Sequence, residues 1–179
     1  NLFSMIDCIR TNNKESNIKD EIKIFYSNDT AKKLLLKLLP NDWSSLLRDG
    51  KNINEIKKCK KAITASGTIT LELAIINIPM VIMYRLSPLT YFIMKNMIKL
   101  KYIGLVNLIL GESLGSKPLV KEFIQPDYTD EVEIMVELQK IDKDENYRKS
   151  FEDGYSEIRN ILKPGAATKV AEIANTMLK

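Results

Sequence analysis

No histidine occurs anywhere in the 179 residues. Within this chain that excludes serine or cysteine triads built on imidazole, His-Glu-x-x-His metal sites and histidine-based proton transfer. Any proton moved here must pass through Asp, Glu, Lys or Tyr, or through residues outside the chain. Cysteine is almost as scarce. Cys8 and Cys59 form no Cys-x-x-Cys pair, so no zinc site or disulfide framework is expected, and unpaired thiols suit a reducing compartment. Long apolar runs are lacking as well. Leu73 to Tyr84, among the longest, is interrupted by Asn77 and too short to span a bilayer. No signal peptide is visible at the start, and a cytosolic type of chain is expected. Nor is there an excess of one charge. The net charge is +4, with acids and bases interleaved, whereas nucleic-acid binding brings a stronger and more clustered basic signature. No nucleic-acid partner is expected.

What is present is 45% hydrophobic and 28% charged, enough for one sizeable domain or part of a larger one. The first residue is Asn1, not Met, so a fragment is expected.

Strand-like and helix-like segments alternate. Leu2, Phe3, Met5, Ile6 and Ile9 share a helical face, and a charged loop follows. "IKIFYS" (22–27) reads as a strand. Asn28-Asp29-Thr30 supplies an N-cap for "AKKLLLKLLP", a helix with a leucine stripe that Pro40 ends. "SSLLRD" is expected as a short strand, "INEIKKCKKA" as a short basic helix, "AITAS" (62–66) as a strand, 69–77 as an apolar helix stopped by Pro79, and "MVIMYR" (80–85) as a strand. The strands are continuous apolar runs, as when both faces of a sheet are covered. The expected class is α/β, a Rossmann-like parallel sheet flanked by helices. A long helix opened by Ser87 and Pro88 follows, then a short helix and a Gly/Ser loop. The segments 129–139, 144–162 and 166–178 all read as helices.

Chemistry concentrates in "ITASGTITLELA" (63–74). Ligands of parallel sheets sit beyond the carboxyl ends of strands, where loops enter helix N-termini. Ser66-Gly67-Thr68 occupies such a place. Gly67 allows close backbone approach, the exposed N–H groups favour an anion such as a diphosphate, and two hydroxyls add donors. The plainer reading is an ordinary cap and turn. Glu72 lies four residues after Thr68, one too far for a capping box. Its neighbours Leu71, Leu73, Ala74, Ile75, Ile76 and Ile78 surround the helix with apolar side chains, which implies burial. A buried carboxylate needs donors, and a ribose hydroxyl pair is one such set; a solvent-facing Glu72 is the alternative.

The stretch "ASGTITLELAIINIPMVIMYRLSPLTYFIMKNMIKLKYIGLVNLIL" resembles the lipid-A-disaccharide synthase family in its Ser-Gly-Thr, Thr-Leu-Glu, Pro-Met-Val, Tyr-Arg and Ser-Pro-Leu-Thr elements. The resemblance extends to "LVKEFIQ" (119–125) and more loosely to both ends. It implies a glycosyltransferase of GT-B type (family 19), with two Rossmann-like domains. That enzyme moves 2,3-diacylglucosamine from UDP onto an acylated glucosamine 1-phosphate (lipid X) in lipid A and lipopolysaccharide biosynthesis, releasing UDP without a metal or other cofactor. By this resemblance the chain is the C-terminal, donor-binding portion, with 1–162 as the UDP-sugar domain and 163–179 as a helix crossing to a missing N-terminal domain. The catalytic base is expected in that missing domain, and the fragment alone is expected to be inactive. Ser66, Gly67 and Thr68 match the diphosphate turn and Glu72 the ribose acid. Tyr84, Arg85, Asn107 and Gln125 match cleft-lining positions. For two of these a plainer reading stands beside the family one: Arg85 pairing with a surface acid, Asn107 capping a helix. The chain departs from the family at Val106-Asn107, where Pro-Asn is usual. It departs again at "LGESLGSKP", which is longer than Ala-Gly-Arg-Glu and leaves the arginine's role vacant or to Lys117.

Residues 88–102 carry Leu89, Ile93, Met97 and Leu100 on one side and Lys95, Lys99 and Lys101 on or near the other. Packing on the chain's own sheet and adsorption to an anionic membrane are both open readings. Lys57, Lys58, Lys60 and Lys61 read as a solvated helix face. The resemblance implies a peripheral protein at the cytoplasmic face of the inner membrane, with its own N-terminal domain as partner and a homodimer as a further arrangement. The alternatives are another UDP-sugar GT-B enzyme (an epimerase or peptidoglycan glycosyltransferase) and a non-catalytic nucleotide-binding module.

Overall fold

The computed structural model describes residues 22–85, 102–111, 117–125 and 131–163. The expected helices at the start of the chain and over 166–178 lie outside them, as do the loop at 112–116 and all but the last residue of the helix expected over 88–102; that residue, Tyr102, is not helical. The described residues divide into two compact units, one up to Lys60 and one from Lys61 onward.

In the first unit, β1 (Ile24–Tyr26) and β2 (Leu47–Asp49) pair in parallel, with Ile24 opposite Leu47. Helix α1 (Asp29–Leu38) starts where expected. The Asn28 side chain accepts from the Ala31 N–H at 2.8 Å, and Asp29 sits in the first turn where the helix dipole favours an acid. Leu39 is extended, as the residue before a proline must be. The leucine stripe is only partly covered: Leu35 is buried, whereas Leu34 and Leu36 are exposed.

Two expectations fail in this unit. "SSLLRD" is not a strand throughout, because Asn41–Leu46 forms a 3-10 helix and only Leu47–Asp49 is extended. The Ser44 and Ser45 hydroxyls donate back to the Asn41 and Asp42 carbonyls (2.9 and 3.1 Å), a local alternative to ladder pairing. The basic helix shrinks to α2 (Ile53–Ile56), capped by Asn52. The lysines Lys57, Lys58 and Lys60 therefore follow a helix end rather than lining a helix face. Lys58 and Lys23 both pair with Glu55, and in the second unit Lys61 pairs with Asp142.

The second unit holds a parallel sheet in the order β3 (Ala62–Thr64), β4 (Met80–Arg85), β5 (Glu122–Gln125). In the central strand Met80, Val81 and Ile82 have no exposed surface, which is why "MVIMYR" reads as one apolar run. β5 is a strand that sequence periodicity did not single out. Helices α3 (Ile69–Ile75), α4 (Leu105–Leu110) and α6 (Glu145–Ile161) pack on one another, and α5 (Glu131–Lys143) packs on β4 and α6. Phe151, Tyr155 and Ile158 of α6, Ile134, Leu138 and Ile141 of α5, and Val106 and Leu110 of α4 are among the other residues buried in this core. The architecture is α/β with parallel strands flanked by helices, as expected. No helix among the described residues is long and apolar enough to cross a membrane.

Helix α3 ends by a mechanism other than Pro79. Asn77 has φ 62°, the left-handed conformation. The Ile78 N–H then reaches the Leu73 carbonyl (2.9 Å) and the Asn77 N–H the Ala74 carbonyl (3.1 Å), the two bonds of a Schellman cap. Leu73 and Ile78, the apolar pair that accompanies such a cap, are both buried.

Candidate functional site

β3 stops at Thr64, and the chain turns through Ser66-Gly67-Thr68 into α3. Gly67 has φ +143°, a conformation that L side chains rarely adopt, and a Cβ there would meet nothing within 4 Å. The turn is thus open to an approaching ligand. The carbonyl of Gly67 is held by the Thr70 hydroxyl (2.7 Å) and the Thr70 N–H (3.1 Å). Because the peptide is planar and trans, fixing that carbonyl toward the helix aims the Thr68 N–H the opposite way, out of the turn. The Thr68 carbonyl, taken by the Leu71 and Glu72 N–H groups, orients the Ile69 N–H similarly. Among the described residues no acceptor is found for the N–H groups of Gly67, Thr68 or Ile69. Thr68 is exposed and its hydroxyl makes no capping bond, so this turn is not an ordinary side-chain cap. Helix α3 has seven residues, so what this turn presents outward is its oriented peptides rather than the end of a long helix dipole.

Glu72 is exposed, correcting the expectation of a buried helix. α3 buries Thr70, Leu73 and Ala74, while Ile75 is 47% exposed. One face of the helix packs on α4 and α6, and the other, bearing Glu72, is solvated. The carboxylate lies one helical turn from Thr68 with no burial cost to offset.

Tyr84 and Arg85 end β4, and Gln125 ends β5. Arg85 and Gln125 are register partners, so the two strand ends bring these positions side by side, beyond the level of Thr64. Tyr84 is half-buried.

Asn107 is not at a surface. It lies inside α4, whose N-cap is Gly104, and is fully buried. Its amide is spent internally: Nδ2 donates to the Val120 carbonyl and to Glu122 Oε1 (both 2.7 Å), and Oδ1 accepts from the Val120 N–H (3.0 Å). Asn107 therefore caps no helix, and Glu122 instead anchors the residues leading into α4, its carboxylate also accepting from the N–H groups of Ile103 (2.8 Å) and Gly104 (3.0 Å). Ser66 joins this set, its hydroxyl donating to the Ile103 carbonyl at 3.3 Å. Glu122 and Thr70 are the residues that sequence reasoning missed. Thr70 had one usable signal, a hydroxyl three residues after a turn glycine. Glu122 had none, since its three donors come from a segment 15 to 19 positions earlier.

Among the described residues no group of three His, Cys, Asp or Glu side chains converges as a metal site would. The titratable groups with displaced pKa values lie elsewhere. Glu55 is held down at about 2 by its bonds to Lys58 and Lys23, while burial pushes the Tyr155 and Tyr147 phenols up, Tyr147 further by its bond to Glu137.

A family profile described as lipid-A-disaccharide synthetase matches residues 3–177. The chain is 34% identical over 114 residues to a lipid-A-disaccharide synthase of Trichlorobacter lovleyi, covering 64% of this chain and 28% of that protein. It is 32% identical over 160 residues to one of Coxiella burnetii (89% and 37%) and 37% identical over 127 residues to one of Pseudomonas fluorescens (71% and 32%). The chain thus spans about a third of the length of the curated relatives it matches. No solved structure matches it significantly.

Proposed function

The chain belongs to the lipid-A-disaccharide synthetase family, and from that membership we propose that it is the donor-binding half of a lipid A glycosyltransferase. The whole enzyme transfers 2,3-diacylglucosamine from UDP to an acylated glucosamine 1-phosphate. The observation that carries the reading is the open Ser66-Gly67-Thr68 turn at the end of β3, with its N–H groups aimed outward.

In the transfer, the bond between the anomeric carbon and the diphosphate breaks as the acceptor hydroxyl forms the new glycosidic bond. Negative charge grows on the diphosphate oxygens. The N–H groups of Gly67, Thr68 and Ile69 are donors for that charge and the unengaged Thr68 hydroxyl adds another, while the Ser66 hydroxyl, donating to the Ile103 carbonyl, holds the turn in place. Glu72, exposed one turn along α3, accepts from the ribose hydroxyls. Tyr84, Arg85 and Gln125, whose backbone positions stand at the neighbouring strand ends, are the further donor-site positions of this reading. Asn107, fully buried, supports this edge by holding α4 to Val120 and to Glu122 at the start of β5. The acceptor hydroxyl's proton goes to a base in the N-terminal half, which lies outside this chain. Residues 1–162 form the donor domain and 163–179 cross to that half. The enzyme works at the cytoplasmic face of the inner membrane, where its acylated substrates reside.

The test is turnover by the intact enzyme. UDP-2,3-diacylglucosamine should be consumed with stoichiometric UDP release, and Ser66→Ala and Thr68→Val should each raise KM for the donor. Efficient use of unacylated UDP-N-acetylglucosamine instead would favour a different UDP-sugar enzyme of the same architecture. A protein that does not bind UDP would be a non-catalytic module.

A further inference from the structure

We propose that Glu122 is a positioning residue for the diphosphate turn, acting through the Ile103 peptide and Ser66. The inference rests on the reading of that turn as the donor site.

Glu122 opens β5, in register with Ile82 of the central strand, which is in turn in register with Thr64 at the end of β3. Its carboxylate gathers the N–H groups of Ile103 and Gly104 and the amide of Asn107, three donors on two oxygens. Gly104 is pressed against it, since a Cβ there would lie 2.5 Å from Ile82 Cδ1 and 3.0 Å from Glu122 Oε1. The segment 103–104 is therefore clamped between β4 and β5. Among the described residues its link to the turn is the Ile103 carbonyl, which accepts from the Ser66 hydroxyl. That bond determines where the first residue of the turn sits and where its hydroxyl proton points. Glu122 does not itself need to touch the nucleotide. A carboxylate suits this task because both oxygens accept, whereas a glutamine in its place would present N–H groups to one of three donors.

The intact enzyme and its Glu122→Gln, Ser66→Ala and doubly substituted forms should be compared in two measurements. The first is amide hydrogen exchange of the 64–70 segment without nucleotide. The second is calorimetric titration of UDP. Glu122→Gln should speed exchange at 64–70 and weaken UDP binding on the order of tenfold. In the Ser66→Ala background the same change should have little further effect on affinity, because the link is already cut. A merely structural Glu122 would lower the melting temperature yet leave the affinity of the folded protein unchanged, or weaken it equally in both backgrounds; either result overturns the proposal. Failure of the unsubstituted enzyme to bind UDP would overturn the donor-site reading. In that case the exchange data still decide whether Glu122 governs the turn.

Discussion

Glu72 and Asn107 are polar side chains set among leucines and isoleucines, and the fold uses them in opposite ways. Glu72 faces solvent, so its replacement has no buried charge to relieve and no internal bond to break. Glu72→Gln exchanges one charge-assisted acceptor for a donor. Since such bonds contribute about 1.5–3 kcal/mol, UDP affinity should fall on the order of ten- to a hundredfold in a calorimetric titration. Melting should be unchanged, within the about 0.5 kcal/mol usual for surface positions. Unchanged affinity would leave the carboxylate without a part in binding. Asn107 has no exposed surface and three internal hydrogen bonds. Asn107→Ala strands the Val120 N–H and carbonyl and takes one donor from Glu122. A loss of about 2–4 kcal/mol is expected in urea unfolding, with the cost falling on stability before it falls on affinity.

At the scale of the element, helix ends and strand starts are where local preference and packing meet. Asn77 holds a left-handed conformation so that Ile78 can close the cap on Leu73. For L residues other than Asn and Asp this conformation costs roughly 1–2 kcal/mol, more for a β-branched side chain. Asn77→Gly should therefore keep the melting temperature, and Asn77→Val should lower stability by about 1–2 kcal/mol. Equal stability in the two variants would show that Pro79 alone stops the helix. The start of α4 depends on space as much as on bonding. Gly104→Ala must displace Ile82 Cδ1 or Glu122, a side chain of the central strand and the one that anchors the entry to α4, and should destabilise by about 1–3 kcal/mol.

For the molecule as a whole, the two compact units need not share one response to pH. In the unit up to Lys60, Glu55 is held at about 2 against an ordinary 4.5, first by its bond to Lys58 and then by Lys23. A depressed carboxylate pKa contributes stability above the unfolded value, lost as pH falls through the folded one. The melting advantage of the wild type over Glu55→Gln should thus be complete above pH 4.5 and disappear between there and about 2. A gap that persisted at pH 2 would assign it to packing instead. The chain also spans only about a third of its relatives. With the acceptor site and base expected in the remainder, the purified 179-residue chain should form no disaccharide above a heat-killed control.

Much of this was determined by sequence alone, where the cause is local. Asn28 caps α1 because an amide oxygen two or three residues from free N–H groups needs no distant partner. β4 is legible to its end residues because the apolar run Met80–Met83 after Pro79, closed by Tyr84 and Arg85, has few alternatives to a doubly covered strand. The Ser-Gly-Thr turn is legible because only glycine tolerates its dihedral, and α/β class follows from the alternation of such segments. Tertiary structure decided the rest, where the cause is a partner far along the chain. "EFIQ" is a strand only because β4 lies beside it, and Glu122 anchors the entry to α4 only because pairing brings it to Ile103 and Gly104. Glu72 sits in an all-round apolar sequence, yet it is exposed because α4 and α6 cover one face of α3 and leave the other to water. Periodicity reports how greasy a helix is; which side is buried depends on where its neighbours end.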